Sequence, residues 1–202
     1  MTETILLLTA DQFRIIGTVS AHVDAFKVHS RYRVVQLDTL AANEMDLDLT
    51  DFAAIVVHYS VIVSNGAYFP ESLARKFARF TGPKILLVQD EMRWVNRTEQ
   101  AILDLGFVAV FSVASPEVQA KLYPRALAAG VRIESTLTGF VDESLNQHDV
   151  PAYRDRKWDV VYRARKLSAF YGAFAQEKWQ IGDRFARDAT RSGLRHDISS
   201  RE

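Results

Sequence analysis

The chain has 202 residues, 48% of them hydrophobic and 25% charged, with 25 Lys and Arg against 25 Asp and Glu. This is the composition of a folded protein with a real core, and a net charge of zero removes the electrostatic footprint expected of a nucleic-acid binder. With no Cys, a disulfide framework, a thiolate nucleophile and a Cys-ligated zinc or iron–sulfur centre are all excluded.

The opening stretch MTETILLLTADQF has no basic segment and one short apolar run, so it reads as a strand rather than a signal peptide. No stretch approaches the ~18 apolar residues of a membrane span. The expectation is a cytoplasmic protein with membrane contact at most peripheral. Predicted strands then follow at Ile5–Leu8, Tyr32–Leu37, Ala53–His58, Lys84–Gln89 and Val108–Ser112, with a weaker sixth run at Val131–Leu137. Their apolar runs lack strict alternation, as suits strands covered on both faces of a parallel sheet. Helical stripes separate them: Val19, Val23 and Phe26; Leu73, Phe77 and Phe80; Ile102 with Leu105; and Val118 with Leu122. Ser115-Pro116-Glu117 adds a helix start, with a capping residue, a proline in the first turn and an acid beside the dipole. The predicted fold is α/β, a Rossmann-like doubly wound parallel sheet over residues 1–141.

Residues 142–156 are polar and aperiodic and read as a linker. Before Pro151, 13 Lys and Arg stand against 18 Asp and Glu, a net of −5; from Pro151 onward 12 stand against 7, a net of +5. Within 157–202, Trp158–Tyr162 reads as a fresh strand and the helix behind it aligns Phe174, Ile181, Phe185 and Ala189. The expectation is the first strand and helix of an incomplete second domain.

Ligands of open parallel sheets bind outside the carboxyl ends of the strands, which makes those ends the candidate sites. They carry Asp11 after the first strand, His58 and Tyr59 after the third, and Gln89, Asp90, Glu91 and Arg93 after the fourth. Two adjacent acids closing a buried strand can accept hydroxyl hydrogen bonds or act as a general base. Asp90 could equally cap the next helix, and Arg93 could pair with either acid. His58 could donate to a hydroxyl or phosphate, or be a satisfied core residue. A metal site from His58, Asp90 and Glu91 lacks any established ligand spacing, so no metal is expected. Arg163, Arg165, Lys166 and Lys178 surround one strand-to-helix connection, an arrangement that suits a diphosphate or a solvated surface. The first turn holds only Gly17 and no Gly-Lys-Ser/Thr sequence occurs, which argues against NAD enzymes and P-loop NTPases.

Ile55-Val-Val-His-Tyr-Ser60, Leu87-Val-Gln-Asp-Glu-Met-Arg-Trp-Val-Asn96, Thr138-Gly-Phe-Val141 and Trp158-Asp-Val-Val-Tyr-Arg-Ala-Arg-Lys166, followed by Glu177-Lys178 and Ile181-Gly182, resemble in order and spacing the bacterial two-domain glycosyltransferases of the GT-B type, close to their retaining, nucleotide-sugar-dependent group. The resemblance implies an N-terminal domain that receives a glycan or other acceptor and a C-terminal domain that holds a nucleotide-sugar donor, with chemistry in the cleft between them and no further cofactor. On it, Asp90, Glu91 and His58 are the candidate catalytic residues, and Gln89, Arg93, Tyr59 and Asp11 line the acceptor side. Arg165 and Lys178, with Arg163 as an alternative, resemble the family's diphosphate contacts. Many relatives have a histidine where this chain has Val88-Gln89-Asp90. The family's acidic donor signature falls beyond Glu202, so the expected partner is a missing C-terminal domain, and little or no transfer is expected from this chain alone.

Two other classes share the alternation. A phosphoacceptor receiver needs paired acids after the first strand and an Asp closing the third, where this chain has a single Asp11 and His58. A noncatalytic sugar- or nucleotide-binding module would keep the strand-end site without the reaction.

Overall fold

The computed structural model describes residues 3–141, 145 and 148–199. They form two compact units, residues 1–143 and 144–202. In the first, β1 (Thr4–Thr9), β2 (Arg33–Asp38), β3 (Ala54–Val57), β4 (Lys84–Leu87), β5 (Ala109–Ser112) and β6 (Arg132–Ser135) pair in the order β2-β1-β3-β4-β5-β6. Every pairing is parallel. The protein is therefore α/β with a Rossmann-like, doubly wound sheet, and all six predicted strands are present.

The strand order reverses once, between β1 and β3. Right-handed crossovers then send α1 (Gly17–His29) to one face and the later connections to the other. The packing agrees. Leu6, Leu8, Ile55, Val57, Leu86 and Val110 form one core with Leu73 and Phe77 of α3 (Glu71–Arg79) and Ile102 and Leu105 of α4 (Val95–Leu105). Ile5, Leu7, Val56 and Leu87 form a smaller second core under Val23 and Phe26 of α1. Alternate residues of each strand thus serve opposite faces, which is why the strands read as unbroken apolar runs. At the end of α4, Gly106 takes φ +71° while the Phe107 N–H reaches back to the Ile102 carbonyl at 3.1 Å, a left-handed stop that turns the chain into β5. Lys84, buried at the start of β4, donates to the Phe77 carbonyl at 3.2 Å and so caps α3.

Two short helices follow β5: α5 (Pro116–Leu122) and α6 (Pro124–Ala128). The predicted stripe on α5 is split: Leu122 packs, partly buried, against the core, and Val118 does not. Gln119 is its buried residue, whereas Val118 is 42% exposed. The reason is local: Tyr123, almost fully buried, and Gln119, which donates to the Ala114 carbonyl and to Ser135, set the rotation of the helix.

The second unit is a parallel β–α–β unit: β7 (Val160–Arg163), α7 (Ala173–Arg191) and β8 (His196–Ser199). The sequence reading provides for the first strand and helix; β8, with the sequence HDIS, is an addition. The stripe on α7 agrees with expectation at Ala189 and differs at its three larger residues. Ala175, Gly182 and Ala189 are the buried residues, seven apart, and Phe174, Ile181 and Phe185 lie on the exposed side. Small residues let the helix approach its two-stranded sheet closely, which turns the larger apolar residues outward.

Candidate functional site

Two groups of side chains gather at the carboxyl edge of the large sheet. The first lies where the strand order reverses. Asp11 Oδ1, just past β1, accepts from Thr9 Oγ1 at 2.9 Å and from Gln36 Nε2 at 3.3 Å. The Ala10 N–H donates to Ser60 Oγ at 3.0 Å, tying the β1 loop to the β3 loop. Beside it, fully buried His58 lies 2.9 Å from His22 of α1, Nε2 to Nδ1. The Ser60 backbone N–H donates to His58 Nδ1 at 3.0 Å. A backbone N–H can only donate, so the single proton of neutral His58 is on Nε2 and is given to His22 Nδ1. The hydrogen bonds thus fix the tautomer of both rings. Burial, with a smaller contribution from the neighbouring His22, pushes His58 down to about 3, and burial lowers His22 as well. Tyr59 stacks on His22 at 5.2 Å between ring centroids, and burial raises its hydroxyl.

The second group follows β4. Asp90 is exposed and holds a left-handed backbone, φ +56°, and Trp94 repeats the conformation at φ +50°. Non-glycine residues pay ~1–3 kcal/mol for such geometry, which makes this turn the strained part of the edge. The residue at the N-cap position of α4 is Trp94, so Asp90 does not cap that helix. Arg93 places its guanidinium 4.6 Å from the centroid of the Trp94 ring. Glu91 is tightly held: Oε1 accepts from Ser112 Oγ at 2.7 Å and Tyr123 Oη at 2.8 Å, and Oε2 from the Val113 N–H at 3.2 Å. Burial first, and then the Glu91 carboxylate, raises the Tyr123 hydroxyl, keeping it a donor. Glu91 is therefore a positioning residue that ties the β4 loop to β5 and to Tyr123 at the junction of α5 and α6, with Asp90 as the outward acid beside it. Replacing Glu91 with Ala strands the Tyr123 and Ser112 hydroxyls, and an unfolding titration is expected to show a loss of ~2–3 kcal/mol. A loss below ~0.5 kcal/mol would remove this role.

Between these elements opens a cleft of about 360 Å³. Gln89, Asp90, Glu91 and Met92 form its β4 side. Val113, Ala114, Val118 and Leu122 form the side given by β5 and α5, and Thr138 closes it. The fold does not bring His58 into this cleft with Asp90 and Glu91, the other candidate catalytic residues. His58 is sealed against His22 and Ser60, absent from the lining, and so cannot touch a ligand there. Its pairing with His22 joins residues 36 apart on separate elements, a contact that no local sequence signal announces.

In the second unit the cations divide. Arg163 is engaged by Asp197 of β8, Nη2 to Oδ2 at 2.5 Å and Nη1 to the carbonyl at 2.7 Å, so it serves the strand pair. Arg165 is exposed two residues beyond β7, and Lys166 lies with Nζ 5.0 Å from the Trp179 ring centroid. Lys178 is exposed on α7, and its carbonyl accepts from the Tyr162 hydroxyl at 2.6 Å. Among the described residues no three His, Asp or Glu side chains gather as a metal centre, and no helix is long and apolar enough to cross a membrane.

Fold and site together define an α/β protein with an all-parallel six-stranded sheet and a strained, acid-bearing cleft at its carboxyl edge. No protein-family model, curated protein or solved structure matches the chain.

Proposed function

We propose that the chain serves a glycosyltransferase that moves a sugar from a nucleotide-sugar donor to a hydroxyl acceptor, the first unit receiving the acceptor and the second contributing to the donor site. The observation that carries the reading is the cleft outside the carboxyl end of β4, where an exposed acid stands on strained backbone where ligands of parallel sheets bind. The resemblance of residues 87–96 and 158–182 to the GT-B enzymes supports it. In this reading Asp90 accepts the hydrogen bond of the acceptor hydroxyl, Gln89 orients it, and Glu91 holds the turn in place. Arg165 and Lys178 pair with the donor diphosphate, the nucleotide sugar being a substrate that needs no metal.

Calorimetric titration of nucleoside-diphosphate sugars into this chain supplied with a donor domain, and into its Arg165→Ala and Lys178→Ala variants, tests the donor side; the chain by itself is expected to bind them only weakly. Charge-assisted contacts to phosphate contribute ~1.5–3 kcal/mol each, so either variant is expected to bind about ten- to a hundredfold more weakly. Equal affinity in all three proteins returns these cations to the solvated surface. Donor binding with no transfer to any hydroxyl acceptor, even when a donor domain is supplied, is the outcome of a noncatalytic binding module.

A further inference from the structure

The cleft beside Asp90 is more apolar than a site for a free glycan requires. Met92 is 74% exposed and Val118 42% exposed, although α5 has a core-facing side that Gln119 occupies instead. Exposing apolar side chains at a concave surface, with a polar residue buried in their place, is the arrangement of a ligand-facing wall. Sugars present hydroxyls in every direction and would leave most of them facing Val113, Ala114, Val118 and Leu122. The charged side chains of the lining are Asp90 and Glu91, both acids, so a phosphate or carboxylate on the ligand would meet repulsion. The volume of about 360 Å³ lies at the small end of ligand pockets, ~300–1,000 Å³, which suits one or two rings and not an oligosaccharide.

We propose that this cleft takes a neutral alcohol with a compact apolar body, in chemical class an aryl or short alkyl alcohol. Its hydroxyl lies toward Gln89 and Asp90, and its apolar part lies on Val113, Val118 and Leu122. As the identity of the acceptor the inference rests on the glycosyltransferase reading; as a binding site it stands apart from it.

The test is an amide NMR titration of this chain with 2-naphthol, naphthalene-2-sulfonate, glucose, maltotriose and UDP-glucose. The expected result is saturable shifts at Ala114, Val118 and Asp90 with 2-naphthol, and none there with the sulfonate or the two sugars. Val118→Asn, at an exposed helix position, is expected to fold as the parent does by circular dichroism and to bind 2-naphthol at least tenfold more weakly. Maltotriose shifting the cleft while 2-naphthol does not, or Val118→Asn leaving the 2-naphthol affinity unchanged, overturns the inference. UDP-glucose, followed at Arg165 and Lys178, separates the two readings. If 2-naphthol binds and UDP-glucose leaves those amides unmoved, the donor assignment falls and the cleft remains. If UDP-glucose moves them and 2-naphthol is silent, the cleft assignment falls and the donor side remains.

Discussion

Acidification from pH 6.5 to 4.5 is expected to lower folding stability by ~2–3 kcal/mol through His58 alone. The ring is fully buried, and burial followed by His22 depresses it to about 3. The structural reason is that both ring nitrogens are taken: Nδ1 accepts from the Ser60 N–H and Nε2 donates to His22. A proton added to His58 Nδ1 would face a donor, and one added to His22 Nδ1 would face the His58 N–H. Between about 3 and the ordinary imidazole value near 6.5, the unfolded chain therefore binds more protons than the folded one. Stability is complete above 6.5 and is lost as pH falls, at ~1.36 kcal/mol per pH unit for one proton. Carboxylates held below their usual range, such as Glu99, whose burial would raise it but which Arg125 and the N–H groups of Arg125 and Ala126 together hold down, take up their protons mainly below the ordinary carboxylate pKa of ~4.3. The interval from 6.5 to 4.5 thus isolates the histidine pair. Urea unfolding at closely spaced pH values should show this slope in the parent and a flatter line in His58→Gln. Parallel lines for the two proteins would mean that the pair is not what titrates.

Phe77→Ala is expected to cost ~3–5 kcal/mol, a large share of the ~5–15 kcal/mol that holds a domain together. Phe77 is fully buried, meets Phe69 edge-on at 5.4 Å, lies 5.2 Å from Phe107, and has the Lys84 ammonium 5.3 Å from its centroid. Truncation removes the contact surface of two aromatic rings and leaves a cavity between α3 and the sheet that backbone elements cannot close. The comparison that gives the number meaning is Phe185→Ala on α7. Phe185 occupies an equivalent place in a helical stripe, yet it is 42% exposed, and its loss should change stability by less than ~1 kcal/mol. Equivalent losses in the two variants would show that Phe185 has a covering neighbour.

The contrast between these phenylalanines separates what the sequence determines from what tertiary structure decides. Strands that are buried on both faces must be apolar throughout, so Ile5–Leu8, Ala53–His58 and Lys84–Gln89 declare themselves as strands of a parallel sheet without any knowledge of their neighbours. Gly106, with no Cβ to resist φ +71°, ends its helix for an equally local reason. Asp90 and Glu91 are legible as a strand-end pair, because the end of an apolar run is visible in the sequence. Which of the two faces outward is not. That depends on Ser112, Val113 and Tyr123, which reach Glu91 from 21 to 32 residues away. An amphipathic stripe states which residues share a helix face but not what the face meets. Val118 therefore reads as core and proves to be cleft wall, Leu122 serves both core and cleft, and Phe174, Ile181 and Phe185 give way to Ala175 and Gly182 beside the expected Ala189. β8 escapes notice because His196 and Asp197 are polar, and its pairing with β7 is secured by Arg163 and Asp197 and, at its entry, by Arg195 and Asp159. Long-range pairing of this kind, like that of His22 with His58, is set by where the folded sheet brings side chains together, and periodicity along the chain carries no record of it.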